Sequence, residues 1–151
     1  MTAVLGIDPG VKGGLAVLAG DGRVVHVRAF QPSMTRDDLS AALCRATQIL
    51  EAEGSFHAYL EKVNTRPGEG HQGAFTFGRV YGGLEQGLLA HGIQLHDVYP
   101  MMWQGRLDCM SGGNKNVTKA RAAQLFPGVK LTHMIADALL IAEYGRRCLN
   151  P

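Results

Sequence analysis

The chain of 151 residues has few cysteines, no long apolar run and little net charge, and each shortage removes a class of protein. Cys44, Cys109 and Cys148 are odd in number and widely spaced, with no CxxC pair. That excludes a disulfide framework and a structural zinc site, and reduced, partly buried thiols are expected. No run approaches the roughly 18 apolar residues of a membrane span, and Met1 leads into an apolar strand without a basic segment or signal core. A cytoplasmic protein with no membrane partner is the expectation. The net charge of +2 is too small to establish a nucleic-acid partner from composition alone. What remains, 46% hydrophobic and 19% charged residues, suits one folded domain over residues 1–151 with a substantial core.

The distribution of charge says more than its sum. From Arg106 to Arg147 the cations Arg106, Lys115, Lys119, Arg121, Lys130, Arg146 and Arg147 outnumber Asp108, Asp137 and Glu143. The excess fits either a phosphate-binding face or a solvated helix surface.

The stretch AVLGIDPGVKGGLAVL, Ala3 to Leu18, places an acid where the local pattern least favours one. Val4, Leu5 and Ile7 read as a strand covered on both faces, and Asp8 ends it before a Pro-Gly turn. Burying a carboxylate without partners is costly, so Asp8 suggests a task such as holding a cation. A second apolar run follows Gly13-Gly14, and Asp21-Gly22 signals a hairpin into a third strand from Arg23 to Phe30. Thr35 with Asp38 resembles a capping pair for an amphipathic helix that Gly54 stops. Ala58-Tyr59-Leu60 reads as a fourth strand, again ending in an acid, Glu61. A helical crossover makes strands one and four parallel, so Asp8 and Glu61 are expected at neighbouring C-terminal ends.

NTRPGEGHQGAFTFGR, after Glu61, has the composition of a long functional loop, and a helix is predicted from Arg79 to His91. Gly82, Gly83 and Gly87 inside it weaken it by about 1 kcal/mol each, which suggests close approach of the sheet or of a second subunit, or simple tolerance. Ile93 to Val98 forms a fifth strand, Pro100 opens a segment with the only tryptophan, Trp103, and a helix is predicted from Val117 to Phe126. The last helix, about Thr132 to Leu149, is apolar nearly all round in its first half, yet contains Asp137, with His133 one turn earlier on the same face. Each acid taken singly is as well explained by a buried ion pair as by function. Together Asp8, Glu61 and Asp137 fit a carboxylate cluster for hard divalent cations.

GIDPGVKGG at the first hairpin, LEKV at strand four, the segment Pro100 to Trp103, LFP, and ADALLIAEYGRR in the last helix together resemble the RuvC-like Holliday junction resolvases of the ribonuclease H-like superfamily. The likeness covers nearly the whole chain in the right order and is closest to the phage and organellar branch. It implies an α/β ribonuclease H-like fold: a central five-stranded mixed sheet, its first three strands antiparallel, flanked by α-helices. It also implies a homodimer that cleaves four-way DNA junctions by paired nicks with two Mg2+ ions per active site, Mn2+ substituting.

Residue by residue, Asp8 matches the metal ligand shared by both ions, Glu61 the fourth-strand carboxylate and Asp137 the acid of the last helix. Many bacterial members carry an acid or histidine three residues before that aspartate, where this chain has Met134; His133, at four residues, is the nearest candidate, either a ligand or a proton-transfer group. Lys119 matches a basic residue placed by the scissile backbone, with Lys115 the runner-up. Arg106 stands near where relatives carry a lysine. Arg66 and Arg79 are candidates to grip phosphate, and Phe75 or Phe77 either stack on unpaired bases or fill the core. Three rival readings share these features: a flap or fork nuclease on the same fold, a non-catalytic junction-binding protein, and an actin-like ATPase, which needs two such domains.

Overall fold

The structure is a computed structural model that describes residues 1–151. Five strands form one mixed sheet: β1 (Ala3–Asp8), β2 (Gly14–Leu18), β3 (Val24–Ala29), β4 (Phe56–Glu61) and β5 (Gln94–Val98), in the order β3-β2-β1-β4-β5. The first three are antiparallel, whereas β4 runs parallel to both β1 and β5, as the helical crossover requires. The helices are α1 (Arg36–Glu53), α2 (His71–Ala90), α3 (Pro100–Arg106), α4 (Lys115–Leu125) and α5 (His133–Leu149).

Both faces of the sheet are covered, which is why β1 and β2 are apolar at nearly every position and buried throughout. Leu5, Ile7, Ala58 and Leu60 pack with α1 and α2 on one side; Val4, Ala16, Tyr59 and Val98 pack with α5 and Trp103 on the other. Strand alternation then assigns the acids. Asp8 shares its face with Val4 and Gly6, and Glu61 shares its face with Tyr59, so both belong to the α5 side.

Helix α1 starts as expected: the Thr35 hydroxyl accepts the Asp38 N–H while the Asp38 carboxylate accepts the Thr35 N–H, and Gly54 at φ 96° ends it. Three predicted boundaries need correction. Residues 71–79 are the first half of α2, not loop, because Phe77, Val80, Tyr81, Leu84 and Leu88 continue one apolar face and outweigh the glycines. The segment after Tyr99 is a short helix with Pro100 in its first turn, and α4 begins two residues early because the Asn114 side chain caps it. All three cysteines are free, Cys109 buried and the other two exposed.

Helix α5 crosses the sheet at points where one partner has no side chain. A Cβ on Gly14 would lie 2.7 Å from the Met134 carbonyl oxygen, one on Gly6 would overlap the backbone at Ala138 and Ala142, and one on Gly145 would strike the Tyr59 ring. The glycines of α2 behave differently. Gly82 and Gly83 have nothing within 4 Å of an added Cβ, and Gly87 meets only Leu43, so the sheet is not what requires them.

Gly6→Ala is expected to destabilise the protein by roughly 2–3 kcal/mol through overpacking of β1 against α5. Gly82→Ala, in open space on a helix, is expected to stabilise by up to about 1 kcal/mol. Urea denaturation of the two variants measures both, and the opposite signs separate packing from propensity.

Candidate active site

The parallel pairing of β1 and β4 sets Asp8 and Glu61 at adjacent strand ends, each 8% exposed. Asp137, 3% exposed, comes from the second turn of α5 above them. Asp8 Oδ1 accepts the Gly10 N–H at 3.2 Å. Glu61 Oε2 accepts the indole N–H of the fully buried Trp103 at 2.7 Å. The Lys115 ammonium, carried by the first residue of α4, donates to Asp137 Oδ2. Asp137 Oδ1 is buried with no partner.

The electrostatics follow from this crowding. Burial pushes the Asp8 carboxyl above the usual range, Lys115 partly offsets it, and Asp137 adds to it. Glu61 is pushed up to about 7 by burial and by Asp8, despite the Trp103 hydrogen bond. Burial works against the Lys115 charge, yet its hydrogen bond to Asp137 and the charges of Asp137, Asp8 and Glu61 raise it above the ordinary lysine value. Three buried acids with one ammonium among them are short of positive charge.

The donor set fits a hard divalent cation: carboxylate oxygens only, one of them orphaned, with an ammonium standing where positive charge is needed. The fit is one of charge and donor chemistry and not of a closed cage, since no three His, Cys, Asp or Glu side chains are already gathered around one point.

The other predicted residues divide. A cleft of about 320 Å³ beside Asp8 and Glu61 is lined by Lys12, Asn64, Arg66, Phe77 and Lys115 among others. Lys119 lies one turn further along α4, outside that lining, so Lys115 and not Lys119 meets the acids. His133 opens α5, one turn before Asp137, exposed and with no hydrogen bond to its ring. Phe75 is 68% exposed, with the Arg79 guanidinium 5.9 Å from its ring centre, and neither is core. Arg106, at the end of α3, does not line the cleft.

The C-terminal cation excess shrinks on inspection. Glu143 is buried and accepts from Arg146 at 2.7 and 2.9 Å and from Arg147 at 2.7 Å. Trp103 is the site residue that sequence reasoning missed. Its signal was that the only tryptophan follows a proline, but its partner is 42 residues away and no local pattern reveals it. The glycines near Asp8 also change meaning, because Gly13 and Gly14 are required by backbone contacts and only Gly10 leaves space beside the carboxylate.

No family model matches the chain, and a search of curated proteins gives no match. Solved structures do match. Thermus thermophilus RuvC in complex with a Holliday junction substrate aligns with TM-score 0.72 at 19% identity, covering 99% of this chain and 98% of that one. A further Thermus thermophilus RuvC structure aligns with TM-score 0.69 at 21% identity, covering 98% and 97%. The fold is thus of the ribonuclease H-like class, a mixed five-stranded sheet between helices. Within that class its fold is similar to that of the two RuvC structures over nearly the whole chain.

A Glu61 carboxyl raised from 4.5 to about 7 keeps a proton in the folded state that the unfolded chain has already lost. Its contribution to stability is complete below the unfolded value and disappears as pH rises through the folded one. The Glu61 contribution to the urea midpoint in chelator is therefore expected to fall between about pH 5 and pH 8, and Glu61→Gln to remove that part of the slope.

Proposed function

We propose that this protein is a structure-specific DNA endonuclease that resolves four-way junctions by divalent-metal-dependent phosphodiester hydrolysis. One observation carries the reading: a RuvC fold brings three buried acids from β1, β4 and α5 to one edge, where Asp137 keeps an oxygen without a partner. The RuvC neighbour is bound to a Holliday junction, which supports branched DNA as the substrate.

Asp8, Glu61 and Asp137 would hold the metal, two Mg2+ ions in our reading, with Asp8 between the other two. Such ions supply an activated water and charge stabilisation of the leaving oxyanion when bound. Trp103 fixes one Glu61 oxygen and leaves the other free to face the cleft. Lys115 balances the acids before substrate arrives and is placed to offer its ammonium to a phosphate oxygen. Lys12 and Arg66 line the same cleft without ion-pair partners and draw the backbone in. A buried acid that served only the fold would be paired as Glu143 is. A homodimer fits the two-fold symmetry of the substrate and belongs to the same proposal.

Asp8→Asn and Asp137→Asn are each expected to lower junction cleavage by roughly 10²–10³-fold or more while junction binding is kept, since each substitution removes negative charge facing phosphate. Cleavage and gel-shift assays on a mobile four-way junction, a flap and plain duplex, in Mg2+ and Ca2+, test this. Wild-type cutting by either variant overturns the site; preference for the flap overturns the substrate.

A further inference from the structure

Lys115, the ammonium that meets the acids, is the first residue of α4, and residues 110–114 form the turn that leads into it. Packing does not hold that turn. Met110 is 57% exposed, Gly112 and Gly113 sit at φ 57° and 90°, and a Cβ added at either glycine would meet nothing within 4 Å. Its shape therefore rests on hydrogen bonds. Two of them reach back to α3, and both end on one atom: Gln104 Oε1 accepts the Ser111 N–H at 3.1 Å and the Ser111 hydroxyl at 3.2 Å. The Ser111 hydroxyl oxygen in turn accepts the Gly113 N–H at 3.2 Å, and the Ser111 carbonyl accepts the Asn114 N–H at 3.0 Å. Asn114 then caps α4 by accepting the Asn116 N–H at 3.0 Å. The contacts run unbroken from Gln104 to the residue before Lys115.

Helix α3 is itself fixed to the acids. Trp103, next to Gln104 in the chain, is fully buried and its indole N–H holds Glu61 Oε2, so Gln104 stands on a helix anchored to the β4 acid. Arg121 Nε donates to the Leu107 carbonyl oxygen at 2.7 Å and ties α4, further along, to the end of α3. The first residue of α4 is left to the turn that Gln104 grips. Helix ends fray before helix middles, and the attraction between two charges weakens as they separate. Loosening the turn therefore displaces Lys115 first.

Resting on the nuclease reading above, we propose that Gln104 is a positioning residue: through Ser111 it holds the turn before α4 and so keeps the Lys115 ammonium at Asp137, beside the phosphate to be cleaved. Gln104 does not line the acid cleft and acts on the reaction only through Lys115. Trp103 and Gln104, consecutive on α3, thus set two sides of the site, Glu61 by the first and Lys115 by the second.

Gln104→Leu replaces the acceptor by an apolar helix former, and Gln104→Glu keeps a carboxylate oxygen for the same two donors. Hydrogen exchange over residues 111–116, read in chelator without DNA, reports the turn. Single-turnover cleavage of a four-way junction in Mg2+ and junction binding in Ca2+ report the site. Gln104→Leu is expected to speed exchange over that segment alone, to bind the junction within about twofold of wild type, and to cleave it about 10- to 100-fold more slowly. Gln104→Glu is expected to restore slow exchange and most of the cleavage rate. Should the urea midpoint show that Gln104→Leu folds poorly, Ser111→Ala deletes the hydroxyl at the other end of the contact and is expected to change exchange and cleavage in the same direction. Slower cleavage with unchanged exchange, or binding lost in step with cleavage, makes Gln104 a DNA contact and overturns the proposal. Faster exchange with wild-type cleavage overturns it as well, as does Gln104→Glu behaving like Gln104→Leu. In all these cases wild type still cuts the junction and the nuclease reading stands; if wild type neither binds nor cuts it, both fall.

Discussion

The close approach of α5 to the sheet is the constraint on which the rest depends. A helix normally stands off a sheet by the thickness of two side-chain layers, but here Gly14, Gly6 and Gly145 remove one layer at three successive crossings. Asp137 lies between the first two of those contacts and is carried down to the strand ends where Asp8 and Glu61 finish. The glycines that look permissive in the sequence are therefore what lets α5 bring Asp137 close to the strand ends that carry Asp8 and Glu61.

Helix α5 also supplies its own control. Asp137 and Glu143 are both buried, six positions apart on one helix. Both Glu143 oxygens are taken by Arg146 and Arg147, and although burial raises its carboxyl, those hydrogen bonds and charges hold it below the ordinary value. Asp137 has a single, more exposed lysine and an orphaned oxygen. The first pattern satisfies a charge within the fold, and the second leaves part of it unsatisfied.

The antiparallel first three strands, the parallel β1–β4 pair, the α1 cap and the three acids were legible in the sequence, because alternation, capping and an acid after an apolar run are local signals. The unread parts were long-range or collective. Nothing near Trp103 announces Glu61, and nothing near Lys115 distinguishes it from Lys119, since one turn of helix decides which ammonium reaches α5. Residues 71–79 misled because glycine content argues for loop while the apolar spacing that makes them helical is completed only by Leu84 and Leu88. His133 illustrates the limit of spacing: it shares a helix face with Asp137, yet at the first residue of α5 it remains exposed.

Carboxylates and a lysine treat every phosphodiester alike, so selectivity for a DNA shape has to come from what surrounds them. The cations sort in a way that bears on this. Arg23, Lys62, Arg146 and Arg147 are tied to acids, and Arg121 donates to the Leu107 carbonyl oxygen. Of the cations that carry no ion pair, Lys12, Arg36, Arg66 and Arg79 border the acid cleft or a second cavity beside it, between α1 and α2, whereas Arg28, Arg45, Arg106, Lys119 and Lys130 border neither. Four of the unpaired cations thus lie between the acids and the glycine side of α2, where the helix is intrinsically weak. A rigid α5 fixes the acids, and an open α2 leaves room around them. The three acids and the open side of α2 lie on opposite faces of one sheet.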